Sequence, residues 1–216
     1  EGGISFMRYG EDNPLPKIDF SSATFNGEAN FWDATFSKNA NFSSATFSEG
    51  ADFTRATFNG EAIFWGAIFS EKANFINATF SDKANFISAT FNKEANFFEA
   101  TFSKEAYFLR AIFSEKANFS LSKFNGGAYF SGYKRDVDKK GVDEKGVDES
   151  DVGKSGVFQK GAHFINFFAK EKVIFYGVNL KEVSFLNGDF KNCDFINCDW
   201  KEQGGMKVLY DEVSLL

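Results

Sequence analysis

Phenylalanine recurs along most of this chain at a spacing that alternates between five and six residues. Between Phe20 and Phe130 the alternation never slips, so the units form a regular 11-residue double unit. From Phe25 to Phe130, the residue two positions before Phe is Ala in 19 of 20 units, and Ser122 is the exception. Alternation of Ala, a polar residue and Phe predicts a very short strand whose Ala and Phe face the same way. Such strands cannot bury a core alone, so we expect them to wind into a coil whose turns stack.

Composition and charge narrow the class of protein. Phe accounts for 31 of 216 residues, which indicates a repeated unit and not an ordinary globular domain. The net charge is −6, with basic residues interleaved among the acidic ones, so we expect no nucleic acid as a partner. No apolar run approaches the ~20 residues that span a bilayer, and no signal peptide is visible. We therefore expect no membrane span in this chain and a cytoplasmic location.

Two segments carry a family resemblance. Ala-Asn-Phe-Ser-Ser at 40–44 and Cys-Asp-Phe-Ile-Asn at 193–197 resemble the unit A-(D/N)-(L/F)-x-x of pentapeptide-repeat proteins. The resemblance covers roughly residues 18–130 and 158–201, and it implies an all-β fold, a right-handed quadrilateral parallel β-helix with four units per coil. The family spacing is five, whereas every second unit here has a sixth residue. We therefore expect 22-residue coils, about seven in number, and a rod ~35 Å long.

The repeat also divides the chain into segments. We expect an N-terminal cap at 1–17, a β-helix of 11-residue double units at 18–130, an inserted flexible loop at 131–157 and the C-terminal coils at 158–201. Residues 202–216 should form a helical cap or a linker to a following region, because several apolar residues there fall near helical spacing. These are Met206, Leu209, Tyr210, Val213 and Leu216. Some pentapeptide-repeat proteins continue into membrane-spanning regions after a similar tail, and the resemblance allows such a continuation here.

Outward positions that lie one coil apart should form columns along the rod. Polar columns of this kind are expected to hydrogen-bond between coils. They are Asn30, Asp52, Asn74, Asn96 and Asn118 on one face, and Thr35, Thr57, Thr79 and Thr101 on another. Charged columns alternate in sign and support the 22-residue register. They are Glu71, Lys93 and Glu115 beside Lys72, Glu94 and Lys116.

An apolar outward patch is the candidate interaction face. Its residues are expected to be contiguous and exposed on one side of the rod, which is typical of a protein interface. They are Ile63, Trp65, Ile87, Tyr107, Leu109 and Tyr129. A thinner stripe on the opposite side contains Trp32, Ile76 and Phe98. The alternative interpretation is a surface that a neighbouring loop covers, or an apolar exposure of no consequence.

The residues that carry reactive chemistry form no constellation. Cys193 and Cys198 replace inward Ala and should be reduced core thiols, and His163 should be exposed and alone. The acidic residues near Asp136 suggest a calcium site of the EF-hand type. However, Lys140 and Val147 occupy positions at which an EF-hand loop has calcium ligands. We expect no catalytic residue, no metal site and no cofactor.

Three functions remain open, of which the first is favoured. It is a non-catalytic scaffold or interaction module that binds an unknown protein partner or itself. The second is DNA mimicry, by resemblance to family members that bind DNA gyrase, although the alternating charges weaken the negative field that mimicry needs. The third is an ice-binding or carbohydrate-active β-helix. For ice binding, the outward Thr-x-Ser units at Thr46, Thr79 and Thr101 are interrupted by Ile68, Ile112 and Lys123.

Overall fold

The computed structural model describes residues 4–5, 17–131, 158–188, 190–203 and 206–208. The chain winds through four parallel sheets as a right-handed β-helix of about seven turns. We name the sheets I to IV in the order in which the chain visits them from Ile18. Sheet I faces sheet III, and sheet II faces sheet IV. The expected quadrilateral β-helix is confirmed.

Sheets I and III hold the strands that begin at the inward Ala. Sheet I contains β2 (Ile18–Asp19), β6 (Ala40–Asn41), β10 (Ala62–Ile63), β14 (Ala84–Asn85), β18 (Ala106–Leu109), β22 (Ala128–Ser131), β25 (Val173–Tyr176) and β27 (Cys193–Ile196). Sheet III contains β1 (Ile4–Ser5), β4 (Ala29–Asn30), β8 (Ala51–Asp52), β12 (Ala73–Asn74), β16 (Ala95–Asn96), β20 (Ala117–Asn118), β23 (Ala162–His163) and β26 (Val183–Ser184).

Sheets II and IV hold the strands that end at the inward Phe or its replacement. Sheet II contains β3 (Thr24–Phe25), β7 (Thr46–Phe47), β11 (Ile68–Phe69), β15 (Thr90–Phe91) and β19 (Ile112–Phe113). Sheet IV contains β5 (Thr35–Phe36), β9 (Thr57–Phe58), β13 (Thr79–Phe80), β17 (Thr101–Phe102), β21 (Lys123–Phe124) and β24 (Phe168–Ala169). Phe158 continues sheet II through a bridge to Phe113.

The register matches the expected 22-residue coil until the insertion. Ala62 pairs with Ala84, and from β2 to β22 the same offset holds for successive strands of all four sheets. The pairing of β1 with β4 is the exception, because Ile4 pairs with Ala29 (29 − 4 = 25). Across the insertion the offset becomes 45, as Ala117 pairs with Ala162. It then falls to 20, as Val173 pairs with Cys193. The last coils therefore follow the plain five-residue spacing of the family.

Phenylalanine rings fill the interior. Phe42, Phe64 and Phe86 are fully buried, and each ring stacks on the next at 4.9 Å with planes within 2° of parallel. Rings from facing sheets meet edge to face, as Phe42 and Phe53 do at 5.5 Å and 85°. The inward Ala residues leave room for these rings, so the side chains themselves occupy the centre of the coil.

The two corner types follow from the alternating spacing. After the inward Phe residues of sheets I and III, apart from Phe130 at the insertion, the chain makes a tight turn, for example with Ala67 N–H donating to Phe64 O at 3.1 Å. The third residue of this turn has a positive φ, such as 63° at Gly66 and 57° at Ser88. This is the geometry of a type II turn. The six-residue corners, between sheets II and III and between sheets IV and I, are wider.

The polar columns differ from the expectation. Most outward Asn side chains bond within their own coil, as Asn85 Oδ1 accepts from the backbone N–H of Ile87 at 3.0 Å. A bond from Asn41 Nδ2 to Asp19 Oδ1 does link two coils. The Asn column therefore chiefly stabilises the tight turns, because a short polar side chain bonds readily to the backbone two residues ahead. No side-chain hydrogen bond joins the threonines at 57, 79 and 101 to another described residue.

The ends of the rod refine the expected segment boundaries. Ser131 is the last residue of β22, so the insertion begins later than expected, and 132–157 lie outside the described residues. At the N-terminus, β1 pairs with β4, which fits a cap on the first coil. The expected helix is wrong for the start of the tail, where β28 (Lys201–Gln203) pairs antiparallel with β29 (Met206–Val208). The sequence Gly204-Gly205 favours such a hairpin; residues 209–216 lie outside the described part.

Candidate protein-interaction surface

All six residues of the candidate face lie on the outer side of sheet I. Ile63, Tyr107 and Tyr129 stand one position before the inward Phe, in β10, β18 and β22. Trp65, Ile87 and Leu109 stand one position after it. Because inward and outward positions alternate along a strand, the six side chains form two adjacent columns along the rod. The register places them together as the sequence predicts.

Exposure differs within this face. Trp65 is 47% exposed, and Ile63, Ile87, Tyr107 and Tyr129 are half-buried. The prediction that Leu109 is exposed is wrong, because only 9% of its surface is accessible to solvent. It belongs to the four-residue strand β18, whose pairing with β22 continues through Leu109 and Ser131. Trp65 is therefore the most exposed of the six.

The two tyrosines form a stacked pair. The rings of Tyr107 and Tyr129 lie 5.4 Å apart with planes within 10° of parallel. Burial raises the pKa of Tyr107 above its ordinary value, and the nearby charge of Glu105 adds to the rise. A Cβ atom on Gly127 would lie 3.0 Å from Tyr129 Oη, so this ring lies against the backbone of Gly127. Each tyrosine ring thus covers one face of the other, so the pair presents no flat aromatic surface.

The apolar surface extends beyond the predicted residues. Ile68, the first residue of β11 in sheet II, is 40% exposed and lies just around the tight corner from Trp65. Beyond the insertion, Ile174 pairs with Tyr129, and Tyr176 pairs with Ile196. Counting outward positions from Phe175, as in the earlier coils, would have found Ile174 and Tyr176. We call the outer side of sheet I, from Ile63 to Ile196, the aromatic face.

Most charged side chains lie on the two six-residue corners, of which only the corner between sheets IV and I borders the aromatic face. Several of them form ion pairs: Lys72–Glu94 at 3.6 Å, Lys160–Glu115 at 2.6 Å and Lys172–Asp194 at 2.6 Å. The first pair confirms part of the expected charge columns, because its residues are one 22-residue coil apart. Asp194 of the third pair lies on the aromatic face, in its last coil. The side chains are well exposed, so each pair contributes at most about 1 kcal/mol.

A groove lies along one charged corner, with a volume of about 650 Å³. Lysine and glutamate alternate along it, and His163 lies at its end, half-buried and paired in register with Asn118. The expectation that His163 is exposed is therefore wrong. Because positive and negative side chains alternate at close range, the groove presents no field of one sign.

The remaining chemistry-bearing residues are separate. Cys198 is buried with its Sγ 3.2 Å from Phe175 O, and burial raises the pKa of its thiol, which disfavours the reactive thiolate. Cys193 is half-buried, and neither cysteine forms a disulfide within the described residues. In the described part of the chain, no three His, Cys, Asp or Glu side chains are grouped so as to hold a metal ion. Within the same residues, no helix is long and apolar enough to cross a membrane.

The outward Thr units do not share a face. Thr46 lies on sheet II, whereas Thr79 and Thr101 lie on the opposite sheet IV. On sheet II, Ile68 separates Thr46 from Thr90, and on sheet IV, Lys123 follows Thr101. The uninterrupted Thr column on sheet IV therefore extends over four coils.

Comparison with known proteins agrees with this geometry. Residues 20–68, 31–79 and 64–112 match the family described as pentapeptide repeats (9 copies). No curated protein matches the chain. The matched residues are those whose coils keep the 22-residue register around stacked Phe rings. Through residues 20–112, this chain belongs to the pentapeptide-repeat family.

Proposed function

We propose that this protein is a non-catalytic interaction scaffold whose aromatic face binds a protein partner. The observation that carries the proposal is the exposure of Trp65 on a face whose neighbouring apolar side chains are half-buried, namely Ile63, Ile87, Tyr107 and Tyr129. Trp at the centre of an apolar patch is a typical anchor of protein interfaces. The flat sheet around it presents few charges, which suits a desolvated contact.

The filled interior supports a function on the outer surface. Phe42, Phe64 and Phe86 occupy the centre of the coil and leave it no room for a substrate. A hydrolytic site of the glycosidase type needs two carboxylates across a cleft. The acidic groups along the groove instead alternate with lysines, as in the Lys72–Glu94 pair. The same alternation disfavours DNA mimicry, which requires an extended negative surface.

The test is site-specific photo-crosslinking in cells that express the protein. A photoreactive phenylalanine analogue replaces Trp65 in one variant and Ser81 in the other. Both positions follow an inward Phe, but Ser81 lies on sheet IV. We expect discrete covalent adducts with a protein from position 65 and none from position 81. Equal labelling from both positions, or none from position 65, would contradict the proposal.

A further inference from the structure

The large apolar side chains that are exposed in the described residues occupy only two places on the rod. Trp65 and Ile68 flank the tight corner between sheets I and II, which we call edge A. Leu121, Phe168 and Leu186 flank the tight corner between sheets III and IV, which we call edge B. The two edges are diagonally opposite on a four-sided coil. We infer that copies of this chain associate side by side, with edge A of one copy against edge B of the next.

Edge B is a continuous surface over three coils. Leu121 N–H donates to Ile165 O at 2.8 Å, and Asn166 N–H donates to Leu186 O at 2.9 Å, so these turns lie directly next to one another. Leu121 has a φ of 58°, a conformation that bulky side chains rarely adopt. A strained, exposed leucine is costly for the fold, and a role in binding would account for it.

Charge and register select a second copy as the occupant. Arg110 projects from edge A two coils beyond Trp65, and Glu99 projects from edge B two coils before Phe168. Both are exposed and form no ion pair within the described residues. Along the chain direction, edge A therefore has an apolar region followed by a positive charge. Edge B has a negative charge followed by an apolar region.

Antiparallel rods bring these features together. With Trp65 and Ile68 against Phe168, the equal two-coil offsets place Arg110 opposite Glu99 and Ile87 near Leu121. Stacked rings of adjacent coils between Phe36 and Phe108 are 4.6–5.1 Å apart, so both separations are about 10 Å. If the two rods were parallel and kept the same apolar contact, Arg110 of one copy would lie opposite the coils beyond Leu186 of the other, and not opposite Glu99. Charge complementarity thus favours the antiparallel pair.

The predicted contact joins different surfaces of the two copies. Such a heterologous interface leaves one edge free at each end and builds an open row instead of a closed dimer. A contact of this few residues is at the small end of specific interfaces, so we expect weak, concentration-dependent association. This inference rests on the proposed function, because Trp65 belongs both to the aromatic face and to edge A.

The test is sedimentation velocity of the full chain and two complementary variants. Trp65→Asp blocks edge A, and Phe168→Asp blocks edge B. Each variant alone should be monomeric, with its Kd for association raised at least about ten-fold, as for a central aromatic contact. Mixed together, they should form a one-to-one dimer, because each supplies the edge that the other lacks. Circular dichroism checks the fold, and Leu186→Asp replaces Phe168→Asp if that variant unfolds.

A charge swap tests the register. Arg110→Glu and Glu99→Arg should each weaken association, and the chain that carries both changes should associate as the unaltered protein does. An unaltered chain that stays monomeric at its solubility limit, a mixture that forms no dimer, or a swap that restores nothing would overturn the inference. None of these outcomes would contradict the proposed function, which the crosslinking experiment tests separately. If position 65 captured a different protein, the proposed function would hold and the self-association would not.

Discussion

The ring of Phe167 occupies the space that a Cβ atom on Gly188 would need, with Cδ1 only 2.6 Å from that position. The unit at 167–169 is reversed relative to the others, because Phe stands where Ala is usual and Ala169 stands in the Phe position. Phe167 is nevertheless buried and packs edge to face on Phe164 and Phe190. The glycine in the next coil accommodates the reversal.

Gly188→Ala is therefore expected to destabilise the fold by about 1–3 kcal/mol, the usual cost of overpacking a buried site. Urea denaturation measures this loss. Gly50→Ala is the matched control, because the nearest atom to a Cβ at Gly50, Lys72 O, is 3.9 Å away. In the background Phe167→Ala with Ala169→Phe, which restores the ordinary unit, Gly188→Ala should become tolerated. An equal penalty in both backgrounds would show that the ring is not the cause.

Trp65 and Leu109 should respond differently to the same substitution. Trp65→Glu replaces an exposed side chain and should change the free energy of unfolding by less than about 0.5 kcal/mol. Leu109→Glu places a carboxylate at a buried position and should cost about 3 kcal/mol, because a buried charge loses its hydration. Thermal denaturation followed by circular dichroism compares the two. A comparable loss of stability in both variants would contradict the assigned exposures.

The tight turns predict a position-specific effect of β-branching. Ser88 has a φ of 57°, so Ser88→Val should destabilise by about 1–2 kcal/mol. Ser81→Val, at an outward position without positive φ, should be nearly neutral or slightly stabilising. Ser88→Gly should retain or raise stability, since glycine adopts this conformation readily. Chemical denaturation of the three variants would refute the turn assignment if the two valine variants behaved alike.

The insertion should be removable without loss of register. Ala117 pairs with Ala162 at an offset of 45, whereas Ala62 pairs with Ala84 at an offset of 22, so the excess is 45 − 22 = 23. Deleting 133–155 removes this excess, restores the five-residue step between Phe130 and Phe158 and puts Gly132 at the positive-φ position. We expect the shortened chain to fold with an unchanged circular dichroism spectrum and similar stability. Deleting only 133–154 leaves one extra residue at this tight corner, where the other coils have five-residue steps, so the tight turn cannot form as in its neighbours and this variant should be less stable than the 133–155 deletion.

Periodicity explains what the sequence could predict. Burial of Phe42, Phe64 and Phe86 follows from a repeat that holds without interruption, and the positions of Ile63 and Tyr107 on one face follow from the same register. Strand alternation fixes only the direction of a side chain. Whether that side chain is exposed depends on its neighbours in adjacent coils, which is why Leu109 is buried although the pattern predicts it to be exposed.

Where the repeat period changes, local sequence patterns favour more than one secondary structure. Met206 falls at helical spacing with later apolar residues, yet it lies in β29, which pairs with β28. The exposures of Leu121 and Phe168 likewise depend on neighbours in adjacent coils, which the pattern of a single unit does not give. Edge B was therefore not predictable from the repeat pattern alone.

The most direct test of the aromatic face is the affinity of the protein for the partner that position 65 captures, or for itself. Trp65→Glu should abolish this binding while the melting temperature stays unchanged, and Ser81→Glu should bind normally. Undiminished binding by a folded Trp65→Glu variant would contradict the account.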